Sequence, residues 1–93
     1  MVNPVPVGVE ADLSAYFNSI CAVPGAITSR NDDVHHLCGF DALPVSSWRG
    51  QSGPINGLTH IKQNNLFVAP TDMDGCKTIA DIEGKLHKLP TQP

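Results

Sequence analysis

The chain is poor in aromatic residues: Phe, Trp and Tyr make up 5% of it, with one Trp and one Tyr. Its core must therefore be mostly Leu, Ile, Val and Ala. Basic residues are also few, six Lys and Arg against nine Asp and Glu for a formal net charge of −3, and they form no cluster. Nucleic-acid binding depends on neutralising phosphates with such residues, so nucleic acid is not an expected partner. The same scatter argues against attraction to an anionic membrane surface. No apolar run approaches the ~20 residues that a membrane span needs, and residues 1–8 lack the positive start of a secretory signal. Cysteine is scarce and odd in number, at three. A disulfide-stapled secreted domain usually carries an even, denser set. The expectation is a cytoplasmic protein with buried free thiols. The alternative is one bridge, Cys21 to Cys76 or Cys38 to Cys76, with a spare thiol.

At 93 residues the chain is read as a single domain with one modest core. Residues 1–8 alternate Val with Pro, Asn and Gly and read as an extended lead-in. Residues 9–90 form the helical domain, and 91–93 a tail. Val9, Leu13, Tyr16, Phe17 and Ile20 recur at helical spacing, which predicts a helix from Val9 to Ala22 that stops before Pro24-Gly25. Asp32 and Asp33 open one or two helical turns that bury Val34 and Leu37, with Gly39 in the left-handed closing position and Phe40 and Leu43 packed beneath. Ile55, Leu58 and Ile61 predict a helix over 55–64, weakened by Gly57 by about 1 kcal/mol relative to Ala. Leu66-Phe67-Val68-Ala69 reads as a buried extended segment. Thr71 to Gly75 is a turn or a single helical turn. Thr78 caps a last helix with Asp81 at capping-box spacing. Ile79, Ile82, Leu86 and Leu89 face inward, and Lys85, His87 and Lys88 occupy the last turns. The expected fold class is all-α, a small three- to four-helix bundle with long irregular loops.

The middle of the chain carries the site candidates. Residues 44–54 hold two Pro, two Gly and three Ser, a composition that opposes regular structure. Within it, Gly50-Gln51-Ser52-Gly53 with His35 or His36 and Asp41 suggests a nucleophile, base and orienting carboxylate. The barrels that usually carry such a motif are far larger than this chain, and a Gly/Ser turn explains it as well. His35, His36 and Cys38, completed by Cys21 and Cys76, suggest zinc, but no second short-spaced pair exists. Asp72-Met73-Asp74-Gly75 matches the middle of a calcium loop. Its first position is then Pro70, which has no side-chain oxygen to ligate. No catalytic residue and no metal is assigned on these grounds, and the protein is not expected to be an enzyme.

Taken in order, the elements resemble an acyl carrier protein. The first helix is followed by Ile27-Thr28 and Asp32-Asp33, which resemble that family's long loop. Leu37-Cys38-Gly39-Phe40-Asp41-Ala42-Leu43 resembles its Gly-X-Asp-Ser-Leu motif. Phe67-Val68-Ala69-Pro70 resembles the segment before its third helix, and Thr78-Ile79-Ala80-Asp81-Ile82 the start of its last. The match covers roughly residues 9–89. The resemblance implies a helical bundle that carries or docks acyl or peptidyl intermediates on 4'-phosphopantetheine and meets synthase or transferase-type enzymes. Ala42 stands where the family has its modified serine, which implies a degenerate form that lacks the attachment serine and only docks partners. In a second register Ser52, just ahead of the 55–64 helix, takes that position as the cofactor-binding residue. Phe40, Asp41 and Leu43 are candidates for a partner-binding surface, and Phe40, Leu43, Leu58 and Ile61 for lining a groove or the core.

A second expectation comes from a different class: a small protein-interaction module without cofactor that uses the 44–54 loop. Trp48 and Arg49 side by side support it, because aromatic and Arg anchors are enriched at interface hot spots. Trp48 folded back over a small core is the competing reading of the same residue.

Overall fold

A computed structural model of the chain describes residues 4–21, 23 and 25–90. The lead-in falls partly within these residues. Val5 packs against the core, and the Pro6 carbonyl accepts from Val9 N. Gly8 turns the chain with φ of 97°. It lies so close to His60 that a Cβ there would overlap the imidazole ring. Positions 1–3 and the 91–93 tail lie outside the described residues, as do Ala22 and Pro24 at the expected end of the first helix.

Helix α1 spans Val9–Ile20 and buries Val9, Leu13 and Phe17. These recur at i and i+4, so the apolar stripe is narrower than expected. Tyr16 is only half-buried, its hydroxyl donating to Gln51 Oε1, and Ile20 in the last turn is exposed. Glu10 and Asp12 lie in the first turn, where the helix dipole favours acids. Asp12 Oδ2 also accepts from His60 N at 2.9 Å. It thereby satisfies one of the orphan amides at the start of a distant helix.

The cysteines correct the sequence-based expectation. Cys21 at the end of α1 is bonded to Cys38, with Cα atoms 4.6 Å apart, and Cys76 is the buried free thiol. Neither three free thiols nor a bridge to Cys76 is formed. Cys21 and Cys38 meet because the intervening chain folds back tightly. Asn18 grips Ile27 through both its amide nitrogen and its oxygen, and Asp32 Oδ2 accepts from Thr28 N and Ser29 N. The chain then runs beside residues 77–80 through Ala80 N to Arg30 O, His35 N to Lys77 O and an antiparallel bridge between Asp33 and Thr78. Helix α2, Val34–Leu37, follows. Asp33 caps it by accepting from His36 N. Gly39 at φ 80° leads into a short 3₁₀ turn, Phe40–Ala42. Val34 and Phe40 are buried as expected; Leu37 and Leu43 are exposed.

The segment 44–54 is not irregular. It forms helix α3, Val45–Arg49, and most of the first turn of helix α4, Ser52–Asn56. Its prolines do not oppose this, because Pro44 precedes α3 and Pro54 lies in the first turn of α4, where a missing N–H has no helical partner to lose. The helix expected over 55–64 is instead two, α4 and α5, Thr59–Gln63. They break at Gly57 and at Leu58, which is extended (φ −64°, ψ 143°). Two side chains make the break favourable. Asn56 bonds the backbone of Val68 in both directions, and Asp12 caps the new helix start.

Leu66–Phe67 is strand β1, paired antiparallel with β2, His87–Lys88. A 3₁₀ segment, Pro70–Gly75, precedes helix α6, Ile79–Lys85. The Thr78–Asp81 capping box forms as the spacing predicts. However, the helix stops at Lys85, so His87 and Lys88 lie in a strand, and Leu89 is exposed. Asn65, at φ 56°, accepts from Leu89 N at 2.7 Å, which anchors that return strand. Glu83 on α6 is 3% exposed and is held by Arg30, with Nε at 3.0 Å. The molecule is helix-rich, with one long helix, several short ones and a two-stranded sheet around one core cluster. Among the described residues no helix is long and apolar enough to cross a membrane.

Two outcomes follow from this architecture. Asp12→Ala removes a cap and costs about 1 kcal/mol of unfolding free energy, read by urea denaturation at neutral pH. The His60 amide also holds the Asp12 carboxyl below its usual value. The stabilisation is therefore complete above pH about 4 and fades as pH falls further, so variant and wild type converge in acid. Cleaving the Cys21–Cys38 bond, separation 17 residues, lowers stability by ~3 kcal/mol on chain-entropy grounds. Alkylation under non-reducing denaturing conditions labels a single thiol, on Cys76.

Candidate functional site

A cleft of about 440 Å³ opens between the α2–α3 stretch and the end of the 3₁₀ segment. His35, Phe40, Asp41, Leu43, Val45, Trp48, Arg49, Asp74 and Lys77 line it, and its size is ordinary for a ligand or side-chain pocket. Sequence order places nothing in 74–77 beside 35–49. The backbone bond from His35 N to Lys77 O and the side-chain bonds of Trp48 and Arg49 to Met73 and Asp74 do so.

The wall is aromatic. Trp48 is 3% exposed, and its ring meets Phe40 at 4.8 Å and His35 edge-on at 4.9 Å between centroids. Phe17 of α1 backs it at 5.7 Å. Trp48 Nε1 donates to the Met73 carbonyl at 2.6 Å, so its one polar atom is used inside the protein. The Trp48 anchor expected at an exposed loop is therefore corrected: the residue folds over the core and shows the cleft only part of its ring. Apolar surface at the mouth comes from Leu43, 50% exposed, and Val45, 61% exposed.

The rim is charged. Arg49 and Asp74 form a two-point pair at 2.8 Å for both contacts, which raises the arginine's pKa and lowers the carboxyl's. Asp41 takes two imidazoles, with Oδ2 2.6 Å from His36 Nδ1 and Oδ1 2.8 Å from His35 Nδ1. The His36 contact is the larger cause of the lowered Asp41 pKa, and it raises that of His36 in turn. Lys77 Nζ stands 3.4 Å from His35 Nδ1.

Of the residues singled out from the sequence, Phe40, Asp41, Leu43, Trp48 and Arg49 all border this cleft. Ser52 does not. It is 4% exposed on the first turn of α4, away from the residues that line the cleft. Ala42, in the 3₁₀ turn, is exposed but has no hydroxyl. Ser52 makes no hydrogen bond to His35, His36 or Asp41 among the described residues, so no triad assembles. Cys21 and Cys38 are used in the disulfide and cannot ligate zinc. The Cys76 thiol sits 3.3 Å from the Asp72 carbonyl, its pKa pushed up to about 11 by burial. Among the described residues no group of His, Cys, Asp or Glu is arranged to hold a metal. In the acidic turn, Asp72 accepts from Ala69 N and approaches His87 Nε2, each at 2.9 Å, while Asp74 faces Arg49.

Val45 is reached from the sequence only as part of the 44–54 stretch, and Lys77 is not singled out as a site residue. His35 and Asp74 are visible in it only under other headings, as a base or zinc ligand and as a calcium ligand. Comparison of the chain with family models, with curated proteins and with solved structures finds no match to any. The carrier-protein resemblance thus rests on the order of its motifs alone.

A proton-sensitive contact lies at the cleft edge. The His36 pKa is raised and that of Asp41 lowered, so the pair is fully charged between pH about 4 and about 6.5, and is lost as pH climbs through the raised imidazole value or falls through the lowered carboxyl value. In an NMR titration His36 should have a midpoint above that of an unpaired imidazole, and Asp41→Asn should bring it back down.

Proposed function

We propose that the protein is a small interaction module without cofactor, and that its cleft receives an apolar side chain from a protein partner. One observation carries this reading: exposed Leu43 and Val45 stand at the mouth of a preformed aromatic-walled cleft whose rim charges are largely paired. Apolar residues left in water at the edge of a concave site are what a partner covers. The docking surface is the start of the 44–54 stretch, as the module reading expects. Its anchors are Leu43, Val45 and the Arg49 rim rather than a projecting Trp48.

The carrier reading gives way to this one in its modified form, because Ala42 has no hydroxyl and Ser52 has a buried one. Its degenerate form, which only docks partners, merges with the module. The disulfide bears on the compartment. A Cys21–Cys38 bond persists where thiols are kept oxidised, so the cytoplasmic expectation yields, in this reading, to an oxidising environment.

Selection of displayed peptides on the folded protein tests the docking. The enriched peptides should share an apolar residue and lose about tenfold in affinity for the Leu43→Asp/Val45→Asp double variant, the loss of one buried apolar contact. Leu89→Asp, an exposed leucine away from the cleft, should bind them unchanged. Enrichment without a common residue, or equal binding to the double variant, sinks the proposal. Incubation with coenzyme A and a permissive phosphopantetheinyl transferase should leave the intact mass unchanged. An increment abolished by Ser52→Ala restores the carrier.

A further inference from the structure

We infer that the segment received by the cleft carries a carboxylate next to its apolar side chain, and that Lys77 reads it. The inference rests on the docking proposed above and adds the chemistry of the occupant.

Five charged or titratable side chains line the cleft: His35, Asp41, Arg49, Asp74 and Lys77. Four are already matched. Arg49 offers Nε and Nη2 to the two oxygens of Asp74, each at 2.8 Å. Asp41 faces His35 at 2.8 Å and, outside the cleft, His36 at 2.6 Å. Both acids that would repel an anion are thereby held by cations or imidazole donors.

Lys77 is the exception. Among the described residues its ammonium has no carboxylate within salt-bridge distance; its side-chain contact is His35 Nδ1 at 3.4 Å, while Asp81 Oδ2 accepts from the Lys77 backbone N–H at 3.0 Å. That nitrogen cannot serve both sides. Facing an ionised Asp41 at 2.8 Å it carries the proton and donates, the stronger charge-assisted arrangement. It then has no lone pair for the ammonium, which has only protons to give. Lys77 thus presents an unmatched positive charge beside an aromatic wall in a protein of net charge −3. An incoming carboxylate supplies the missing acceptor, while the adjoining apolar group covers Leu43 and Val45. Charge complementarity therefore selects an acidic–apolar segment over a basic or neutral one.

The test uses blocked pentapeptides in which phenylalanine, set among glycines, is followed by glutamate or by glutamine, with free phenylpropionate as a third probe. Binding is followed by the fluorescence of Trp48, the only tryptophan, and by amide shifts. The glutamate peptide should bind about two- to fivefold more tightly than the glutamine peptide, the range for a solvent-accessible ion pair. Lys77→Gln should remove that preference without changing the affinity for the glutamine peptide. Salt at about 0.5 M should shrink it too, since the screening length is then only a few Å. Lys77 is exposed, so the variant is not expected to disturb folding, and its circular dichroism provides the control. Equal binding of the two peptides, still lost in Leu43→Asp/Val45→Asp, overturns the carboxylate inference and leaves the docking reading standing. Tighter binding of phenylpropionate than of either peptide overturns the polypeptide occupant in favour of a small acid. No binding by any probe at millimolar concentration overturns both.

Discussion

The hydrogen bond from Trp48 to the Met73 carbonyl fixes much of this small structure. A large ring can enter a core poor in aromatics only if its N–H finds an acceptor, since a buried donor left empty costs about 1–3 kcal/mol. Met73 supplies one from the 3₁₀ segment, 25 residues away in sequence. That bond ties α3 to the 3₁₀ segment and brings Asp74 opposite Arg49. With Trp48 turned inward, Val45 and Arg49 on the same short helix are left facing out. The ring itself is clasped by Phe17, His35 and Phe40, so one side chain joins α1, α2 and the first 3₁₀ turn to the rest of the core. The cleft is the outer side of this packing arrangement.

A second set of ties keeps short helices in place that would not persist alone. Helices of four or five residues do not repay their own nucleation. Here side chains hold several of their ends: Asp33 caps α2 from the adjoining position, Asp12 caps α5 from the distant α1, and Asn56 at the end of α4 ties it to Val68. The disulfide holds α2 to the end of α1. Local stability in this chain is thus borrowed from tertiary contacts, which is how a sequence with 5% aromatics can still fold around one core.

Those same ties explain what the sequence could disclose. Helix α1 and the Thr78–Asp81 cap are legible because their signals are local, a repeat of three and four residues and a box of four. The left-handed Gly39 and the extended Leu66-Phe67 pair are legible for the same reason. The break at Leu58 is not, because Asp12 and Val68 reward it from outside the segment. Pro44 and Pro54 mislead when counted as composition; their position at helix starts reverses their meaning. Pairing of Cys21 with Cys38 depends on the fold of the 17-residue interval and not on the number of cysteines. In the site, adjacency along the chain reveals Phe40, Asp41, Leu43, Trp48 and Arg49. Lys77 enters through the backbone bonds that lay residues 77–80 beside 30–36, and Asp74 through the bond from Trp48 to the Met73 carbonyl. Whether Ser52 is buried is likewise invisible to a motif.

The two banks of the cleft come from stretches separated by some 25 residues or more, 35–49 on one side and 74–77 on the other, and they meet only when the chain is folded. The unfolded chain therefore has no version of the site, and an occupant binds the native state alone. Such an occupant is drawn into the folding equilibrium by mass action, adding stability in proportion to the logarithm of its concentration over its dissociation constant, about 2.7 kcal/mol at a hundredfold excess. For a chain whose helices are individually too short to stand, the empty and the filled protein then differ in lifetime as well as in partner. Persistence against unfolding and proteolysis becomes a report on whether the cleft is occupied.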